Sequence, residues 1–144
     1  MGRGCRGQAP VKPRRIVLVE DDDSIRLIAQ LSLETLGGHQ VLALASGEDA
    51  VARAAGFSPD LLLLDVSMPG MDGPETLAAL RKQPGLADVP AVFLTAHTQP
   101  AKVSEIRSLG AVDVIAKPFD PEHLVERLAR VLGPEASAAA TDTP

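Results

Sequence analysis

The chain has 144 residues, enough for one domain with a real core, and its 45% hydrophobic content excludes a disordered chain. Aromatic residues make up 2%, with no Trp or Tyr, so the core must be aliphatic and a base-stacking nucleic-acid platform is disfavoured. Net charge is −5, but Arg3, Arg6, Lys12, Arg14 and Arg15 hold five of the 14 basic residues; from Ile16 onward nine bases face 19 acids, a net of −10 that repels DNA.

Residues 1–13 read as an unstructured basic leader without the apolar stretch of a signal peptide. Met1-Gly2 opens like a myristoylation signal, but Arg6 stands where Ser or Thr is wanted. Cys5 is the only cysteine, so no intrachain disulfide can form and a reducing compartment is expected. No apolar run is long enough to span a membrane. These points predict a cytoplasmic protein with neither membrane nor nucleic acid among its partners.

From residue 14 to 133 the pattern alternates strand and helix five times. Strand one is predicted over Arg15–Val19. A helix follows from Asp23 or Ser24, good N-caps, with Ile25, Ile28, Leu31 and Leu36 as its apolar positions and Gly37-Gly38 as its stop. Strand two spans Gln40–Ala45, and Ser46 caps a short helix ended by Gly56. Ser58-Pro59-Asp60 turns into strand three, Leu61–Leu64. After the loop 68–73, Pro74 opens a helix reaching Lys82. Strand four is Ala91–Thr95, and a helix runs from Pro100 to Leu109, where Gly110 stops it. Strand five is Asp113–Ala116. Asp120 caps the last helix, Leu124, Leu128, Val131 and Leu132 face inward, and Gly133 ends it. Residues 134–144 read as an unstructured tail. The alternation predicts a doubly wound α/β domain with a parallel sheet covered by helices on both faces.

The strand ends carry the chemistry. Glu20 and Asp21 follow strand one, Asp65 follows the four leucines of strand three, Thr95 closes strand four and Lys117 follows strand five. In an open parallel sheet, ligands bind outside the carboxyl ends of the strands. Three carboxylates, a hydroxyl and an ammonium therefore share one edge. Two like charges about 4 Å apart repel by roughly 4 kcal/mol at an effective dielectric near 20. A hard divalent cation with oxygen ligands, magnesium above all, removes that cost. Asp65 is then a candidate nucleophile toward phosphorus, and Lys117 and Thr95 can meet phosphoryl oxygens. Asp22 and Asp23 are read as helix caps, and Asp72 as a turn residue before Gly73. His39, His97 and His123 are too scattered for a zinc site, and no glycine-rich phosphate loop is present.

The segments Ile16-Val17-Leu18-Val19-Glu20-Asp21-Asp22-Asp23-Ser24-Ile25-Arg26, Asp65-Val66-Ser67-Met68-Pro69-Gly70-Met71-Asp72-Gly73, Leu94-Thr95-Ala96 and Lys117-Pro118-Phe119 resemble the receiver domain of two-component response regulators. The resemblance implies a five-stranded parallel sheet of flavodoxin-like order 2-1-3-4-5. It implies Asp65 as phosphoacceptor, with Glu20, Asp21, Asp65 and the Ser67 backbone carbonyl as ligands of Mg2+. Thr95 would be the hydroxyl that moves onto the phosphoryl group and Lys117 the lysine that pairs with it, ahead of a cis bond to Pro118. Family members commonly carry Tyr or Phe three residues before that lysine; Val114 stands there and has no ring to swing. Ser67 and His97 occupy positions that tune the lifetime of the phosphorylated state in the family.

The expected function is a phosphorylation switch: a histidine kinase or phosphotransfer protein donates to Asp65, and binding to a protein target changes. It is not expected to be an enzyme beyond its own phosphorylation and dephosphorylation. Competing expectations are a non-switching receiver-like binding module and a receiver cut from a larger hybrid kinase or regulator. An aspartyl phosphatase is disfavoured, because Ser67 stands where such enzymes carry a second Asp as general acid.

Overall fold

The computed structural model describes residues 14–97 and 99–132. The expected leader, the Gly133 stop and the tail lie outside them. The elements in chain order are β1 (Arg15–Val19), α1 (Asp23–Leu31), a π-helical turn (Ser32–Leu36), β2 (Gln40–Leu44), α2 (Gly47–Phe57) and β3 (Leu61–Asp65). They continue with α3 (Gly73–Arg81), β4 (Ala91–Thr95), α4 (Pro100–Arg107), β5 (Asp113–Ala116) and α5 (Pro121–Leu132). The five strands are parallel and lie in the order β2-β1-β3-β4-β5. This is the order the resemblance implied.

Strand side chains alternate between two layers. Val17, Val19, Leu62, Leu64 and Phe93 point to one face, where Ala50 and Ala54 of α2, Leu77 and Leu80 of α3 and Ile106 of α4 cover them. Ile16, Leu18, Leu61, Leu63, Val92 and Leu94 point to the other, against Ala29 of α1, Leu33 and the α5 residues Leu124, Leu128 and Leu132. Each fully buried leucine is worth about 1.5–3 kcal/mol of transfer free energy, so the run Leu61–Leu64, buried on both faces, anchors the domain. Continuous apolar strands without polar alternation are what helices on both faces require.

Three details depart from the sequence reading. The first helix buries Ala29, Ser32 and Leu33, while Ile28, Leu31 and Leu36 stay about half exposed. Small residues at Ala29 and Ser32 let the helix approach the sheet closely, and the π-helical turn rotates Leu33 rather than Leu36 into the core. The second helix passes through Gly56 and ends at Ser58, whose φ of 53° supplies the left-handed cap. Phe57 belongs to the helix because Arg15 lies over its ring, 4.3 Å from the centroid. Asp72 is more than a turn residue: it caps α3 by accepting from the Glu75 N–H at 2.9 Å, while Glu75 accepts from the Asp72 N–H at 3.0 Å.

Candidate functional site

The sheet registers set the site. Val19 pairs with Leu64, Asp65 with Leu94, and Thr95 with Ala116, so the residues that follow these pairs emerge together at the carboxyl edge. Glu20 remains tied to the sheet through its N–H to Leu44 O, 3.0 Å. Asp22, rather than Asp21, caps α1 by accepting from the Ile25 N–H at 2.9 Å, and Asp23 pairs with Arg26. Asp21 is thereby left exposed and unused by the helix, next to two buried carboxylates.

One oxygen each from Glu20, Asp21 and Asp65 lie within 4.8 Å of one another. Glu20 is fully buried and Asp65 is 2% exposed. Lys117 Nζ bridges them, donating to Asp65 Oδ1 at 3.0 Å and to Glu20 Oε1 at 3.2 Å. The other Glu20 oxygen accepts from the Asp22 N–H at 3.1 Å. A single ammonium cannot balance three carboxylates. Burial lifts the Glu20 pKa to about 7; Asp65 adds to the rise, while the Asp22 N–H and Lys117 oppose it. Burial likewise raises Asp65, with Asp21 adding to it against Lys117. Burial lowers the Lys117 pKa, but Asp65 and Glu20 outweigh it and hold the ammonium charged. The cluster lacks positive charge and offers hard oxygen donors at a rim open through Asp21. That donor set fits Mg2+, which binds one or more carboxylates and leaves positions for phosphate oxygens.

The loop after β3 is pinned behind Asp65. The Gly73 N–H donates to Val66 O at 2.9 Å, and a Cβ on Gly73 would run into the Asp65 carbonyl oxygen. Ser67 is exposed in this loop, two residues beyond Asp65. Thr95 is buried, and its hydroxyl accepts from the His97 N–H at 3.0 Å rather than bonding Asp65. Lys117 is held by its own N–H to Thr95 O at 2.8 Å, and the Lys117–Pro118 bond is cis. Val114 is packed in the core layer with Phe93, Leu77 and Ile106. His39 lies at the opposite edge, where its Nδ1 accepts from the Arg14 N–H, and His123 stands in the first turn of α5.

The sequence reading did not anticipate an apolar pocket of about 420 Å³ beside Lys117, lined by Ile25, Ile28, Ala96, Pro118 and Phe119. Its signal was present in Phe119, which the sequence reading used only as part of the Lys117-Pro118-Phe119 segment, and in the α1 apolar positions. The half-exposed Ile28 is one wall of this pocket.

The family model for the response regulator receiver domain matches residues 16–129. The chain is 39% identical over 117 residues to the transcriptional regulatory protein AfsQ1 of Streptomyces coelicolor, covering 81% of this chain and 50% of that protein. It is 34% identical over 119 residues to the alkaline phosphatase synthesis transcriptional regulatory protein PhoP of Bacillus subtilis, covering 83% and 48%. The chain thus spans about half the length of these curated relatives. Among solved structures it resembles chemotaxis protein CheY4 of Vibrio cholerae with a TM-score of 0.77 and 35% identity, over 83% of this chain and 98% of that one. It also resembles the receiver domain of sensor histidine kinase PA1611 from Pseudomonas aeruginosa, solved with a magnesium ion in its active-site cleft (TM-score 0.76, 30% identity, 84% and 98% covered). Fold, strand order and sequence agree over the span that holds every candidate site residue: this chain belongs to the receiver-domain family of two-component response regulators.

Proposed function

We propose that this domain is a phosphorylation switch in which Asp65 takes a phosphoryl group from a phosphohistidine of a histidine kinase or phosphotransfer protein. The observation that carries the reading is the surplus of buried carboxylate around Lys117, which calls for a cation at the rim. Glu20, Asp21, Asp65 and the Ser67 carbonyl would hold Mg2+, which supplies charge neutralisation for the transferring phosphoryl oxygens. An Asp65 carboxylate oxygen attacks phosphorus, the bond to the donor nitrogen breaks, and the freed imidazole leaves with the electron pair. Lys117 opposes protonation of Asp65 and then pairs with a phosphoryl oxygen. The Thr95 hydroxyl gives up the His97 N–H and donates to another, drawing the loop after β4 inward.

The apolar pocket is read as the seat of the donor's helical surface, since it is lined in part by Lys117, which bonds the nucleophile Asp65. Output is read as altered protein binding, and hydrolysis of the acyl phosphate as the chain's own reset rather than turnover of a separate substrate. No described helix is long and apolar enough to cross a membrane, and we read the domain as acting in the cytoplasm. Asp65→Asn is expected to abolish labelling by acetyl phosphate or phosphorylated donor in the presence of Mg2+, with the fold intact by circular dichroism. Persistent labelling would move the acceptor elsewhere.

A further inference from the structure

The amino-terminal edge of the sheet holds a groove that the phosphoryl chemistry does not use. Its volume is about 350 Å³, and it lies between the turn into β3 and the segment that precedes β4. Pro59, Ala87, Val89 and Pro90 give it aliphatic walls, and Asp60 and Asp88 are its acids. The walls are fixed. The Arg81 guanidinium donates to Val89 O and, at 3.1 Å, to Leu86 O, and the Leu62 N–H donates to Pro90 O at 2.9 Å. Asp60 and Asp88 are exposed. One Asp60 oxygen accepts from the Arg15 N–H at 2.9 Å; its other oxygen and both of Asp88 take no hydrogen bond or ion pair among the described residues. The chain enters the sheet beside this groove, since the Asp60 N–H also donates to Arg15 O at 2.6 Å. Residues 1–13, which precede that entry, carry Arg3, Arg6 and Lys12 and no acid. On the β2 side of the entry, Gly38, His39 and Gln40 offer no carboxylate.

We propose that this groove seats the chain's own basic leader, with Lys12 between Asp60 and Asp88 and the apolar Pro10 and Val11 against Val89 and Pro90. Two inter-strand spacings, about 10 Å, separate the mouth of β1 from that of β4, a span that roughly four residues of extended chain cover. Ala9-Pro10-Val11-Lys12-Pro13 favours an extended polyproline-type backbone, so docking costs it little freedom. A single exposed ion pair is weak. The tether compensates, because it holds the leader at an effective concentration on the order of millimolar, and the rigid walls need no rearrangement to receive it. The carboxylate cluster at the other edge is a poorer seat. Lys117 already lies within it, and the five residues of β1, roughly 17 Å of strand, separate it from the entry. The inference concerns the amino-terminal edge alone and does not depend on the switch proposed above.

Paramagnetic relaxation enhancement in the full chain tests this, with a nitroxide at Gln8→Cys in a Cys5→Ser background. The amide peaks of Gly85, Ala87, Asp88 and Val89 are expected to lose at least about half their intensity, and about 1 M salt should restore them. Asp88→Lys and Lys12→Glu should each restore them as well, and the two substitutions together should bring the loss back. Asp88 is exposed, so thermal melts of the variants should match the parent. Broadening spread evenly over the surface, broadening centred on Asp21 and Ser67 or on His39, or a pattern insensitive to Asp88→Lys would overturn the assignment. So would broadening of an isotope-labelled chain by a separate spin-labelled one, which would make the occupant the leader of a second copy.

Discussion

The two edges of the sheet handle charge in opposite ways. At the amino-terminal edge the polar groups around Arg15 have fixed partners. Arg15 stacks on Phe57, donates to its carbonyl at 2.6 Å and to Gln40 at 2.7 Å. Asp60 accepts the Arg15 N–H at 2.9 Å, and buried His39 accepts the Arg14 N–H at 3.2 Å. At the carboxyl edge Glu20 and Asp65 share Lys117, with the Asp21 carboxylate beside them. The same strands supply both ends, so the difference lies in the residues that follow or precede them. One edge is closed for stability, and the other is left short of positive charge for something that arrives later.

Lys117→Met tests that contrast most severely. It leaves Glu20 and Asp65 buried without their cation, and metal-free stability near pH 8 should fall by about 3–5 kcal/mol in urea titrations. Arg15→Met, at the settled edge, loses exposed and half-buried bonds and should cost no more than about 2 kcal/mol. Equal losses would erase the distinction.

The pH dependence should have opposite signs at the two edges. Burial lifts the Glu20 pKa in the folded state to about 7 from an ordinary 4.5, so the folded state binds more protons across that interval. Its contribution therefore makes metal-free stability fall as pH rises from about 4.5 to 7, by at most about 3 kcal/mol. Glu20→Gln should flatten that slope, and Mg2+ should oppose it by favouring the ionised cluster. His39 behaves inversely. Burial lowers its pKa, with Arg14 adding to this against Asp60, so the unfolded chain binds the proton first. Its contribution is full above pH 6.5 and is lost as pH falls below, a loss His39→Gln should remove.

Asp21→Asn separates cation affinity from folding. Asp21 is exposed and makes no bond to Lys117, so the melting temperature should hold while Mg2+ affinity by calorimetry drops about tenfold. The smallest change belongs to the amino-terminal edge. Ser58 holds φ 53°, and Ser58→Gly should stabilise by about 0.5 kcal/mol, seen as a small rise in melting temperature.

Strands and site were legible because their signals are local. Four apolar runs end in Glu20, Asp65, Thr95 and Lys117, and parallel pairing alone brings those ends together. Asp21 was assigned to the carboxylate cluster and Asp22 to the cap of α1 from sequence, because Asp65 and Lys117 close strands at the same edge, and the cap geometry agrees. The α1 face was misread because counting apolar positions favours Ile28 and Leu31, whereas close approach to the sheet selects Ala29 and Leu33. Ser58 was passed over because Gly56 is the stronger stop signal, and contact with Arg15 outweighed it.

Every residue of β3 is buried, and neighbouring strands grip it on both sides. Asp65 is thus mounted on the stiffest part of the molecule, an anvil rather than a spring. Work done on its carboxylate by a new covalent substituent cannot be absorbed beneath it. The strain has to travel sideways, into the rim formed by the segments after β3, β4 and β5.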